Sequence, residues 1–190
     1  MRSFPAADLP VRIDMPERSC YIIAMTESYR ILCVCMGNIC RSPTARALLL
    51  RQLHQHGLHE RVAVYSAGTH DYHVGKPPDR RASLALRAHK LDISGDLARQ
   101  VVVEDFHQHD ELLAMDAGNL RHLRQLQPVD SRAKLRLIMQ DLPDYGLSEV
   151  PDPYYGGEQG FVQVVDMLDQ AAAAICRRLL NHFDAAAGHN

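Results

Sequence analysis

No stretch of this 190-residue sequence approaches the roughly 20 apolar residues that cross a bilayer, so nothing in it reads as a membrane span. An excess of charge of either sign is missing too: the formal net charge is −2 and the basic residues are scattered. That removes the electrostatic footprint of nucleic-acid or acidic-membrane binding. Neither a CxxC pair nor an HExxH occurs. His54, His56, His59, His70, His73, His107 and His109 fall in short groupings that do not share a helix face, which is a poor set of metal ligands. No metal or other cofactor is expected. The five cysteines are odd in number, with Cys33, Cys35 and Cys40 crowded together and Cys20 and Cys176 remote, unlike a secreted disulfide framework. A reducing, cytoplasmic setting fits them better.

Internal repeats are absent as well, and the length suits one domain with a real core. Residues 1–28 mix prolines and charges without periodicity and read as a disordered extension. "CYIIA" is too short and too far from the start to be the core of a signal peptide. Met25, directly before the first strand, makes a compact start, so residues 1–24 are expected to be dispensable for stability and activity. The domain is expected over residues 29–184, with a short tail at 185–190.

What is present alternates between two periodicities. "YRILCVC" (29–35) reads as a buried strand, and residues 42–57 as a helix with Pro43 in its first turn and Gly57 as its stop. A second strand is expected at 62–68 and a second helix at 78–91. Two further strands are expected at 110–116 and 133–139, with a helix over "AGNLRHLRQL" between them and a long terminal helix over 158–183. Strands alternating with helices predict a three-layer α/β domain with a four-stranded parallel sheet and flavodoxin-like topology. In such sheets ligands bind beyond the carboxyl ends of the strands, and Cys35 ends the first one.

The segment "CMGNICRS" (35–42) therefore carries the functional argument. A strand feeding a short loop that opens into a helix aims backbone N–H groups and the positive helix end at one point, forming an anion site. Met36, Gly37, Asn38, Ile39 and Cys40 form that loop; Gly37 and Asn38 are residue types that accept left-handed backbone angles. Arg41 can grip two phosphate oxygens with its planar fork. The same field favours an anionic sulfur at Cys35, and Ser42 can donate to it. A C-x5-R spacing alone is a cheap signal, and by spacing alone a buried strand residue, as Cys33 is read to be, is an equal reading of Cys35. In "EVPDPYYGG" (149–157), Asp152 sits between two prolines on an extended, rigid backbone, a suitable acid for a leaving group. Tyr154 and Tyr155 beside it can wall a slot for an aromatic ring.

Taken together, "VCMGNICRSP", "YSAGTHDYHVGKPPDRRA" (65–82), "LARQVVVEDF" (97–106), "LLAMDAGNL" (112–120) and "DPYYG" resemble the low-molecular-weight protein tyrosine phosphatase family over about residues 29–183. The resemblance implies hydrolysis of phosphotyrosine through a cysteinyl-phosphate intermediate. It makes Cys35 the nucleophile, Arg41 the phosphate clamp, Asp152 the general acid and base, and Ser42 the thiolate partner. Asn38 would hold the loop with Ser66, and Tyr72 would line the slot opposite Tyr154. Cys40 is either packing or a redox guard for Cys35, and the family favours the second. A phosphotyrosine protein is the implied substrate, a tyrosine kinase or its autophosphorylated target the implied partner, and monomer or weak self-association the implied state. Two positions depart from the family: Arg46 stands where an acidic residue is common and Asp96 where a histidine is common. The paired sign change predicts a reversed bridge that braces the loop as the usual pair does.

Rival functions on the same fold fare worse. An arsenate reductase needs further cysteines after the first, and none lies between Cys40 and Cys176. A phosphoarginine phosphatase would resemble its family more with threonine in place of Ile39. A non-catalytic phosphate-binding or redox-sensing module would have no use for Asp152.

Overall fold

A computed structural model describes residues 28–187 of the chain. The expected N-terminal extension and Cys20 lie outside the described residues, apart from Ser28. Four strands, β1 (Tyr29–Cys35), β2 (Val62–Gly68), β3 (Glu111–Ala114) and β4 (Lys134–Leu137), form one parallel sheet in the order β2-β1-β3-β4. Five α-helices accompany them among the described residues: α1 (Arg41–Gln55), α2 (Arg80–Arg87), α3 (Asp105–Gln108), α4 (Ala117–Leu126) and α5 (Glu158–Ala187). Alternation along β1 produces the three layers. Ile31, Cys33 and Cys35 pack into a core with Leu48, Leu49 and Leu53 of α1 and Val164, Leu168 and Ile175 of α5. Leu32 and Val34 point the other way, to Phe106 of α3 and Leu120 and Leu123 of α4. Neighbouring strands that run parallel and are covered on both faces read as continuous apolar runs, which is why β1 is apolar throughout its buried length.

Four elements differ most from expectation, the fourth strand among them: expected over 133–139, it spans Lys134–Leu137 and gives way to a 3-10 turn at Ile138. The second helix spans only Arg80–Arg87, because the chain turns after it and Lys90 takes a left-handed φ of 57°. The third strand stops at Ala114, since Asp116 is already the N-cap of α4 and accepts from the Asn119 N–H. The last helix runs on to Ala187, past the expected limit. Gly57 does end α1, as expected: it has φ 69°, its N–H bonds the His54 carbonyl and the Leu58 N–H bonds that of Leu53, closing a Schellman motif.

The chain reverses direction across the sheet between β1 and its neighbours β2 and β3. The carboxyl end of β1 is thus the topological switch point, and it delivers Cys35 there.

Candidate active site

Loop 36–40 leaves β1 and enters α1 without a side-chain cap: Cys40 occupies the N-cap position and makes no capping bond. The first amides of α1 therefore have no side-chain acceptor, which is the arrangement that suits an anion. Cys35 is 3% exposed; its Sγ accepts the Asn38 N–H at 3.3 Å and lies 3.1 Å from Ser42 Oγ. Ser42 Oγ also accepts from Asn38 Nδ2 at 2.9 Å and faces the Ala67 carbonyl at 3.1 Å. One hydroxyl proton thus serves two acceptors. With a thiol at Cys35 it satisfies Ala67, and with a thiolate it has a charged acceptor to turn to.

Asn38 shapes the loop twice over. Its φ of 55° supplies the left-handed turn, and its side chain is fully used: Nδ2 donates to Ser42 and to Ser66 Oγ at 3.0 Å, while Oδ1 accepts the Arg99 N–H at 2.9 Å. Gly37 does not share the left-handed conformation expected of it. Its missing side chain matters for space, since a Cβ would lie 2.8 Å from Cδ2 of His73. Gly68 plays a similar part at the end of β2, where a Cβ would stand 2.7 Å from the Met36 carbonyl.

Arg41 is 2% exposed and its guanidinium reaches into the same mouth. Nη1 donates to Asp116 Oδ2 at 2.6 Å and to the Val150 carbonyl at 3.2 Å, and Nη2 donates to Asp152 Oδ2 at 2.7 Å. Asp152 lies on the loop before α5, and its Oδ1 accepts the Tyr154 N–H at 3.1 Å. Met36, Gly37, Ile39, Cys40, Tyr72, His73, Tyr154 and Tyr155 surround Cys35, Arg41 and Asp152 in one cleft. Tyr72 stacks on His70 at 5.1 Å between ring centroids, and Tyr154 meets Tyr155 edge to face at 5.1 Å.

The expected reversed pair is present: Arg46 Nη1 lies 3.1 Å from both Asp96 oxygens, and its Nε donates to the Val64 carbonyl at 3.3 Å. These contacts pin α1 to β2 two residues before Ser66, so the pair bears on the loop through the strand. Burial, against the opposing pull of Arg46, pushes the Asp96 carboxyl above the usual carboxylate range. The Cys40 thiol is pushed far up by burial and by nearby Asp79.

Sequence reasoning passed over Asp116, although its carboxylate pairs with Arg41 at 2.6 Å. The usable signal was its place: an N-cap aspartate directly after a strand, at the sheet end where ligands bind. His73 and the pair Asp79 and Arg81 were passed over too, and long-range geometry alone brings them to the site.

A thiol in an amide-rich loop at a helix start, with an arginine and a carboxylate facing it, defines a class of phosphate-handling α/β hydrolases. The family model described as low molecular weight phosphotyrosine protein phosphatase matches residues 30–185. A low molecular weight phosphotyrosine protein phosphatase of Schizosaccharomyces pombe is 39% identical over 148 residues, 75% of this chain and 94% of that protein. The crystal structure of a protein tyrosine phosphatase from Entamoeba histolytica superposes with a TM-score of 0.78 at 35% identity, over 82% of this chain and 99% of that one. A Drosophila arginine phosphatase shares the fold at 27% identity, with a TM-score of 0.74 over 78% of this chain and 96% of that one. The chain belongs to the low molecular weight phosphotyrosine protein phosphatase family.

Proposed function

We propose that the protein hydrolyses phosphotyrosine, and aryl phosphates generally, through a cysteinyl-phosphate intermediate, with residues 29–184 as the catalytic unit. The observation that carries this is the convergence of Cys35 Sγ, the loop amides, Arg41 and Asp152 on one cleft. The phosphate of the ester sits in the loop, its oxygens held by backbone N–H groups and Arg41. Taking Nη2 of Arg41 as its ligand, it replaces the Asp152 carboxylate there; freed from the guanidinium, the exposed Asp152 takes up a proton from solvent and faces the bridging oxygen as the acid. Cys35 Sγ attacks phosphorus in line, the P–O bond to the phenol breaks, and Asp152 delivers its proton to the departing oxygen. Asp152, now a carboxylate, takes a proton from water as that water attacks phosphorus. The S–P bond breaks, phosphate leaves, and Ser42 donates to the returning thiolate. Asn38 and Ser66 keep the loop open to the phosphate, and Arg46 with Asp96 steadies the strand behind it.

Tyr72, Tyr154 and Tyr155 shape a slot that suits a flat ring at the depth of a tyrosine ester. Ile39, which lines the cleft with an apolar side chain, favours the aromatic ester over phosphoarginine. The substrates are phosphoproteins; a tyrosine kinase or its autophosphorylated target is the partner proposed from family resemblance, and monomer or weak self-association the proposed state. A free catalytic thiol fits a reducing cytoplasm, and no helix among the described residues is long and apolar enough to cross a membrane. Stopped-flow turnover of an aryl phosphate tests the reading. A burst of phenol is expected from the wild type and none from Cys35→Ser, whereas unimpaired turnover in Cys35→Ser rejects the mechanism.

A further inference from the structure

Asp152 stands on an exposed loop, its side chain 40% accessible, yet its proton transfer depends on being held to a fraction of an ångström. Among the described residues its hydrogen bonds are to Arg41 and to the Tyr154 N–H. The first is given up when phosphate takes Nη2, so the second has to orient the acid during reaction. What fixes Tyr154 is therefore what fixes the acid. Arg81, in the first turn of α2, donates from Nη1 to the Tyr154 carbonyl at 3.0 Å and to the Gly156 carbonyl at 3.4 Å. Its guanidinium also lies over the ring of Phe161, 4.5 Å from the centroid, and 5.6 Å from that of Tyr154.

Arg81 is itself anchored. Asp79, the N-cap of α2, accepts from Arg81 Nη2 at 2.7 Å and Nε at 3.1 Å, the planar two-point grip of a guanidinium on a carboxylate. The Asp79 N–H in turn donates to the carbonyl of Ile39 in the phosphate loop at 2.8 Å. The contacts close a circuit from the loop that holds the nucleophile, through Asp79 and Arg81, to the carbonyl and ring of Tyr154 and so to Asp152.

We propose that Arg81, seated on Asp79, is a positioning residue that sets the general acid against the phosphate loop. It touches neither substrate nor reacting atoms. This rests on the reading of Asp152 as the acid, and it goes beyond that reading by assigning what orients it.

Leaving-group dependence separates positioning from mere support of the fold, because only esters of weakly acidic phenols need the acid. The test measures kcat/KM on aryl phosphates from phosphotyrosine to 2,4-dinitrophenyl phosphate, in the wild type, Arg81→Met, Arg81→Lys, Asp152→Ala and the Arg81→Met, Asp152→Ala double variant. Arg81→Met is expected to lose about tenfold or more on phosphotyrosine and less than about twofold on the dinitrophenyl ester. Arg81→Lys recovers part of that loss, and Arg81→Met adds nothing once Asp152 is alanine. Asp79→Asn, which retains a capping oxygen but loses the charge under Arg81, gives the same pattern at smaller amplitude and serves if Arg81→Met does not fold. A steep profile in Asp152→Ala beside an equal loss on every ester in Arg81→Met overturns the proposal alone. A flat profile in Asp152→Ala overturns the acid assignment and the proposal with it.

Discussion

The short strand β3 has an arginine and carboxylate cluster near each end, and the two are built in opposite senses. At its start the buried group is an acid: Glu111 is fully buried, held by Arg178 Nη2 at 2.9 and 3.1 Å and approached by Arg136 at 3.5 Å. Asp141 completes the set by taking both arginines, so two acids balance two bases. Beyond its other end the buried group is a base: Arg41, held by Asp116 and by Asp152 on an exposed loop. The first cluster is neutral within itself and has no reason to exchange partners. The second puts one guanidinium against two carboxylates, and a phosphate can replace one of them. A closed charge set gives rigidity, and an open one gives a site.

Substitutions at the two ends should therefore separate activity from stability. The largest effect is expected from Cys35→Ser, which should cut kcat by at least about 10⁴-fold, measured by single-turnover kinetics, with the unfolding midpoint nearly unchanged. Arg178→Met attacks the closed cluster and leaves the Glu111 carboxylate buried with its longer contacts, to Arg136 at 3.5 Å and to the Tyr29 hydroxyl at 3.4 Å. About 3 kcal/mol of stability should go in urea unfolding, with kcat/KM of the folded fraction within about twofold of wild type. Comparable loss of activity there would erase the contrast between the two ends.

Asp116→Asn sharpens the contrast from the other side. Asparagine still caps α4 but no longer pairs with Arg41, so kcat/KM should fall about ten- to hundredfold with little change in stability. Steady-state kinetics beside a thermal melt decides it. The smallest effect belongs to Arg46 and Asp96. Because the folded-state pKa of Asp96 is raised, the folded protein holds that proton more tightly than the unfolded chain does. Stability therefore falls as pH rises from the ordinary carboxylate range through the raised value. Asp96→Asn should remove that dependence and leave Tm at neutral pH equal or higher, as thermal melts across pH 3–8 would show. A double-mutant cycle with Arg46→Ala reads their coupling, and additive effects would dissolve the pair.

How far the sequence carried these conclusions depended on range. β1, β2 and α4 match their expected bounds because apolar periodicity and flanking turn residues act locally. The strand, loop and helix around Cys35 were legible for the same reason: nucleophile, loop and arginine lie within seven residues. α2 was overextended because "AHKL" keeps a helical pattern, and only the left-handed turn at Lys90 ends it. Asp116, His73 and Arg81 escaped because each meets the site from far along the chain. Arg81 reaches Tyr154 across 73 positions, and no local pattern encodes that contact. Arg46 and Asp96 were paired from their reversed signs, a case in which a departure from a family pattern held long-range information.

In the proposed reaction Cys35 attacks phosphorus and Asp152 completes the turnover. Rapid acid quench of the protein mixed with phosphorus-labelled aryl phosphate, followed by peptide mass spectrometry, addresses it most directly. Label is predicted on the peptide that contains Cys35, at greater occupancy in Asp152→Ala because hydrolysis of the intermediate slows, and on no peptide in Cys35→Ser. Label on a different residue, or turnover of Cys35→Ser at the wild-type rate, would contradict the account.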